Sequence, residues 1–462
     1  MEAILSLKEI PSMDRKLTLK QRFLAATTLF GMFFGPASLI FPVHLGQLAG
    51  SNVIPATIGF IITAVSLPIL GVAAIAITHS DGLQALANNV GKGYSYFFTC
   101  LLYLAIGPFF AIPRCATISF TTGVMPMLGD QSEALALLIF SAILFAIVLF
   151  CSLHHAGIQV WIGKIITPLF LLFFAILVIT ALLKPSASVS SIEPVDAYKT
   201  GTLFFGFVEG YNTMDGIAGI AFGIVIINLF RDMGIRKDTT ITKAVLYSGS
   251  LAGILMALLY VMTIIMGTQS RGLFELSDNG SIALAQIAGH YLGKSGSFVL
   301  ALTIIFACLK TSIGLVTSCA EAFQRMFPKA LSYKAWAVIF TAIPFFLTNF
   351  GLSRILEYSL PALMFLYPLT ITLILLALFG RFFDHDKVVY VSVTAFTCIA
   401  AVLDALKALP AELQNALRLE GILAFAPKYL PLFSLNLGWI LPAIIGFVIG
   451  LGIHALRKYR NP

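Results

Sequence analysis

Charge is scarce in this chain. Of its 462 residues only 11% are Asp, Glu, Lys or Arg, against roughly a quarter in soluble domains. That is too little to cover a water-facing globule. With 59% hydrophobic residues and a mean hydropathy of +0.95, the composition is that of a polytopic membrane protein with almost nothing left for a soluble domain. Cysteine is sparse too. Cys100, Cys115, Cys151, Cys308, Cys319 and Cys398 all fall in or beside apolar runs and form no CxxC pair, so they read as small packing residues rather than a disulfide framework or thiolate cluster. His154 and His155 are adjacent, but no HxxxH or HExxH occurs, and no metal site is expected. The absence of a Walker A sequence excludes ATP-driven chemistry by this chain alone. Residues 1–21 are polar and charged, so no cleavable signal is expected and the first span serves as its own membrane signal. The net charge of +8 does not indicate a nucleic-acid partner, because the basic residues sit in short loops and make no continuous face.

What is abundant is the long apolar run. Segments of about spanning length recur twelve times, at residues 23–47, 53–78, 96–126, 133–152, 157–183, 200–230, 240–268, 295–323, 333–350, 354–379, 387–408 and 435–456. Those at 96–126 and 295–323 exceed the bilayer and are expected to tilt or extend beyond it. Residues 411–434 are an interfacial helix or a loop. Lys and Arg concentrate in alternate connections, which puts both termini in the cytoplasm of a cell inner membrane and agrees with an even span count.

Two spans are interrupted at mid-depth. The first runs through residues 24–34, breaks at Gly35-Pro36-Ala37-Ser38 and resumes at residues 39–41. The sixth runs through residues 202–208, breaks at Glu209-Gly210-Tyr211-Asn212-Thr213-Met214-Asp215-Gly216 and resumes at residues 217–230. Irregular backbone at that depth is tolerated only where it is buried in protein or lines a cavity. Two breaks five spans apart mark two five-helix halves of an inverted-repeat transporter. A broken helix offers N–H groups to anions and carbonyls to cations, and a pair of breaks therefore suits a zwitterion. The expected carboxylate contacts are the N–H groups near Ala37, Ser38 and Leu39. The ammonium contacts are the carbonyls near Phe207, Val208 and Gly210, and the apolar wall is Phe34, Phe204, Tyr211 and Met214.

Several ionisable residues lie inside the spans. Glu209 and Asp215 are proton or ion carriers, or else caps for the broken helix. Arg114, after Pro108 and Pro113 in a span expected to bend, is a candidate partner for either. Lys164 snorkels to the cytoplasmic interface. Lys310 sits at the centre of an apolar run, where a cation costs several kcal/mol unless it meets a partner, water or a cavity.

The stretches FGPASLIFPVHLGQLAGSN, GPFFAIPRCATIS, WIGKIITPLFLL, GFVEGYNTMDGIAGIAFGIVIIN and ACLKTSIGLVTSCAEAF resemble the bacterial branched-chain amino acid:cation symporter family, within the amino acid–polyamine–organocation superfamily. The resemblance implies uptake of leucine, isoleucine or valine, usually with sodium, on a five-plus-five inverted-repeat fold with unwound first and sixth helices. Family members commonly read Gly-Ala-Gly-Asn where this chain has Gly35-Pro36-Ala37-Ser38, and Thr-Thr where it has Lys310-Thr311. In this fold a structural sodium would sit near Gly35, Ala307, Thr311 and Ser312. The Lys310 ammonium is then either a tethered substitute for sodium, giving proton coupling or exchange, or a group snorkelling into a vestibule.

The expectation is thus an all-α integral membrane protein of about 12 transmembrane helices. Its segments are a cytoplasmic stretch 1–22, a first repeat 23–183, an outer loop 184–199, a second repeat 200–380, and helices 11 and 12 with a cytoplasmic tail in 381–462. It is a secondary carrier for large aliphatic amino acids, possible substrates including methionine, and not an enzyme. It needs no cofactor beyond a coupling H+ or Na+ and no obligate protein partner. The alternatives are an ordinary sodium symporter and an amino acid sensor that does not transport.

Overall fold

The computed structural model describes residues 18–128, 132–153, 171–232, 234–235 and 237–460, and every secondary-structure element among them is helical. Residues 1–17 and 157–170, and with them Lys164, lie outside the described residues, as do His154 and His155. In lipid a backbone N–H or C=O finds no water, so each apolar run closes its own hydrogen bonds as a helix. The first five-span half contains α1 (Leu19–Phe33), α2 (Ala37–Ala49), α3 (Val53–Ile61), α4 (Leu67–Ile77), α5 (Leu83–Ala87), α6 (Lys92–Leu104), α7 (Ala111–Gly123), α8 (Glu133–Leu153) and α9 (Leu171–Leu183). The second contains α10 (Thr202–Glu209), α11 (Asp215–Asp232), α12 (Asp238–Ser270), α13 (Gly280–Met326), α14 (Tyr333–Thr348) and α15 (Leu352–Phe379). The chain ends with α16 (Lys387–Lys407), two short helices, α17 (Ala411–Ala416) and α18 (Glu420–Tyr429), and α19 (Ile440–Arg460).

Eight helical stretches among the described residues are long and apolar enough to cross a membrane, or nine if the α10–α11 pair, bent by 45°, is one span. The Ala37–Ile77 stretch counts once by this measure but turns at Gly50–Asn52 into two of the expected segments. α9 and α14 are shorter apolar helices. Length alone therefore does not reach twelve, although every expected segment overlaps a helix.

Of the two over-long segments, the first divides and the second is part of a still longer helix. The segment expected at 96–126 passes through a π-helical turn, Ala105–Phe109, where Gly107 leaves helical geometry at φ −104° and ψ −114°. The one expected at 295–323 is the later part of α13, which begins fifteen residues earlier at Gly280, where Asn279 caps it by accepting from the Ser281 and Ile282 N–H groups. Gly293, at φ 63°, turns the chain between the two parts, a conformation that glycine adopts without the steric cost a Cβ would bring.

Glycines seat the broken spans against their neighbours. A Cβ at Gly46 in α2 would overlap the Ile264 carbonyl of α12, and one at Gly267 in α12 would overlap the Val43 carbonyl of α2. The same reciprocal seat joins α11 to α4, where a Cβ at Gly219 would overlap Pro68 and one at Gly71 would lie 2.8 Å from the Ile220 nitrogen. The first seat places the second half of span one on span seven. The second places the second half of span six on span two. That equivalence is what two inverted five-helix halves require. A third seat joins α10 to α3 through Gly206 and Gly59.

The buried apolar residues fall into two clusters. The larger holds the broken spans with α3, α4, α12 and α15, and the smaller holds α8, α14 and parts of α7 and α13. The two breaks lie where these clusters adjoin. α16 and α19 pack on each other, and α16 on α15, outside this centre.

Candidate functional site

Each break has a local cause. Pro36 supplies no N–H, and α1 ends at Phe33 before α2 begins at Ala37. In the gap the Ser38 N–H donates to the Gly35 carbonyl at 3.1 Å, the Leu39 N–H to the Pro36 carbonyl at 3.2 Å, and the Gly35 N–H to Ser38 Oγ at 3.4 Å. In the sixth span, a 3₁₀ turn over Gly210–Thr213 ends at Met214, which holds the left-handed conformation at φ 61°. Asp215 then opens α11, its N–H donating to Thr213 Oγ1 at 3.3 Å.

A cavity of about 100 Å³ lies between the breaks. Phe34, Gly35, Pro36, Ala37 and Ser38 line it from the first break, and Thr213, Met214 and Asp215 from the sixth. Arg114, Cys115 and Ile118 of α7 and Thr311 and Leu315 of α13 close the other side. It is well below the ~300–1,000 Å³ that drug-sized ligands fill, and suits a small solute. A larger groove of about 560 Å³ between α15, α16 and α19 is lined by apolar groups and Thr372. It has no charged group with which to orient a ligand.

Asp215 is the hub of the cavity. Its Oδ2 accepts from the Tyr260 hydroxyl at 3.1 Å and from Ser38 Oγ at 3.4 Å, so one carboxylate ties the first break, the sixth break and α12 together. Arg114 is buried at 2% exposure. Its Nη1 donates to the Asn212 carbonyl at 2.8 Å, its Nη2 to Ser359 Oγ of α15, and its guanidinium lies 5.5 Å from the Phe41 ring centroid. Among the described residues no ion pair joins Arg114 to Glu209 or Asp215. The partner expected to be a carboxylate is a carbonyl and a hydroxyl instead. Glu209 is half-buried and within electrostatic reach of Arg114.

The remaining expected residues divide between the cavity and the surrounding packing. Leu39 is fully buried in the core. The Phe207 carbonyl accepts from Thr63 Oγ1 at 2.6 Å and the Gly210 carbonyl from Thr213 Oγ1 at 3.0 Å. Gly210 packs on Thr63. Tyr211 stacks on Tyr367 with centroids 4.0 Å apart, and Val208, three residues earlier, is buried. None of Leu39, Phe207, Val208, Gly210 or Tyr211 is among the cavity-lining residues. On α13, Thr311 reaches the cavity and donates to the Ala307 carbonyl at 3.0 Å. Lys310 is half-buried one residue earlier, and the Ser312 hydroxyl is buried with no hydrogen-bond partner among the described residues. Tyr260 was not foreseen, since a tyrosine in an apolar run carries no signal of its own. Arg114 was foreseen as a buried charge but not as a cavity wall.

An all-helical chain with two broken spans meeting at a charged cavity has the architecture of an inverted-repeat membrane transporter. Solved structures carry the same fold. Mhp1, a nucleobase-cation-symport-1 family transporter, matches in its closed conformation with bromovinylhydantoin bound at a TM-score of 0.57 and 16% identity, over 95% of this chain and 92% of that one. MhsT in complex with L-phenylalanine matches at a TM-score of 0.56 and 16% identity, over 95% and 99%. Residues 18–457 match the family described as branched-chain amino acid transport protein, and the chain belongs to that family. The branched-chain amino acid permease BrnQ of Lactobacillus delbrueckii subsp. lactis is 46% identical over 438 residues, 95% of this chain and 97% of the relative. The permease of the same name from Bacillus subtilis is 36% identical over 445 residues, 96% and 99% of the two chains. The family is one of multi-pass transport proteins, not of enzymes.

Proposed function

We propose that the chain is a secondary carrier that imports leucine, isoleucine or valine, with methionine as a further aliphatic substrate, by alternating access at the cavity between the breaks. The observation that carries this is the cavity itself, walled from both broken spans and from α7 and α13, at the junction of the two packed clusters. The names of the relatives support the substrate class. In this reading the halves are residues 23–183 and 200–380, the bilayer is the inner membrane, both termini face the cytoplasm, and a single chain suffices. Aliphatic walls separate substrates differing by one methylene by only ~1–3 kcal/mol, so the carrier accepts several large aliphatic side chains.

Coupling is to protons rather than sodium. Gly35 and Thr311 line one cavity and offer oxygens for a cation, and Lys310, outside the cavity lining, precedes Thr311 on α13. Two unit charges ~4 Å apart repel by about 4 kcal/mol at an effective dielectric of ~20. In this reading the Lys310 side chain reaches that point, where a protonated ammonium would exclude sodium. With sodium replaced by choline, labelled leucine is expected still to enter vesicles, faster when the outside is acidic, and Lys310→Met is expected to flatten that pH response. Strict sodium dependence in the wild type would sink the proton reading, and leucine binding without accumulation would identify a sensor instead.

A further inference from the structure

We infer that Arg114 and Asp215 read the two charges of the substrate, the Arg114 guanidinium taking the carboxylate of an α-amino acid and the Asp215 carboxylate taking its ammonium. The inference deepens the transport reading above and rests on it.

Several backbone groups of the breaks are already engaged. The Ser38 and Leu39 N–H groups donate to Gly35 and Pro36, and the Phe207 and Gly210 carbonyls accept from Thr63 and Thr213. What the cavity retains is a buried guanidinium and a buried carboxyl group. Neither makes an ion pair among the described residues, and both line the same 100 Å³ space. An isolated buried charge is costly, and the cost falls when a counter-ion arrives with hydrogen bonds. An amino acid zwitterion supplies both counter-ions in one molecule, which a plain carboxylic acid or a plain amine does not.

Both groups have bonding capacity left. Arg114 uses Nη1 and Nη2 on Asn212 and Ser359, while its Nε is buried with no hydrogen-bond partner among the described residues. A carboxylate accepts from such a fork in bidentate fashion. Asp215 receives Tyr260 and Ser38 on Oδ2, and the two oxygens of a carboxylate offer about four acceptor sites, so capacity for an ammonium donor remains. The Asn212 carbonyl that holds Arg114 belongs to the same break as Asp215, three residues earlier, so cation and anion are set by one short piece of chain. Ile106, Ile118, Phe222 and Leu315 in the same wall then face the aliphatic side chain.

Three ligands test this on the purified full-length carrier in lipid nanodiscs. They are leucine, leucinamide, which lacks the anionic end, and isocaproate, which lacks the cationic end. Wild type is expected to prefer leucine to each analogue by roughly a hundredfold. Arg114→Gln is expected to lose most of its leucine affinity while binding leucinamide as wild type does. Asp215→Asn is expected to lose leucine affinity while binding isocaproate at least as well as wild type. Arg114 also ties α7 to Asn212 and Ser359, so Arg114→Lys provides a second variant should the glutamine protein not fold. It is expected to bind leucine about tenfold more weakly and still to prefer it to leucinamide. Equal losses for all three ligands, in whichever variants fold, would overturn the pair and leave Arg114 and Asp215 as structural groups. Failure of wild type to bind leucine at all would remove the transport reading itself, and the pair with it.

Discussion

Gly206→Val should leave little or no monodisperse carrier. Gly206 in α10 packs on the Ala56 backbone of α3, where a Cβ would overlap the Ala56 carbonyl. Gly59, its counterpart, is blocked in the same way by the Leu203 carbonyl. Side chains can change rotamer to admit a methyl group, but a carbonyl in a helix cannot move without its neighbours. Overpacking a side-chain core costs ~1–3 kcal/mol, and overpacking a backbone seat is expected to cost about 3 kcal/mol or more. The readouts are size-exclusion profile and melting temperature in detergent. Gly452→Ala in α19, where a Cβ meets nothing within 4 Å, is the control, with a change within ~0.5 kcal/mol. A Gly206→Val protein as stable as the control would show that α10 and α3 are not held at backbone distance.

Asp215→Asn should abolish leucine uptake by at least about a hundredfold with normal amounts of protein in the membrane. Asparagine is nearly isosteric and its carbonyl still accepts from Tyr260 and Ser38, so the joint between the two breaks survives. The charge is lost, and with it the site for a cation or a proton. Asp215→Leu differs in kind. It strands the two buried hydroxyls, at ~1–3 kcal/mol for each one left without a partner, and should reduce the amount of folded protein as well as its activity. Initial uptake rates normalised to membrane-inserted protein separate the two effects. An Asn variant transporting near the wild-type rate would leave Asp215 only its hydrogen-bonding role.

The two breaks were legible because glycine, proline and paired carboxylates do not otherwise belong at mid-depth in an apolar run. Their pivots were not. Met214 holds the left-handed conformation of the sixth break, and methionine gives no sign of it in sequence. The polar and glycine-rich stretch around Gly293 read as a connection between spans, so α13 was read from residue 295 instead of from Gly280. The Phe207 carbonyl looked available because the hydroxyl that engages it cannot be paired with it by sequence spacing, whereas the Gly210 carbonyl is engaged locally by Thr213. Thr63 is 144 residues from Phe207. For the same reason Tyr260, 45 residues from Asp215, escaped notice. Arg114 was visible as an expensive residue, but cost alone did not say whether a carboxylate, a carbonyl or a cavity offset it.

The glycine seats also distribute stiffness. α2 on α12, α11 on α4 and α10 on α3 meet backbone to backbone, with few rotamers to rearrange between them. The contact of α1 with α12 is made differently. The Arg22 guanidinium lies 5.0 Å from the Tyr247 ring centroid, and Ser248 Oγ donates to the Arg22 carbonyl at 3.5 Å. Long side chains can slide where carbonyls cannot. Three of the four half-spans around the cavity are thus clamped to a neighbour like paired beams, while the fourth meets α12, among the described residues, through the Arg22 and Ser248 side chains.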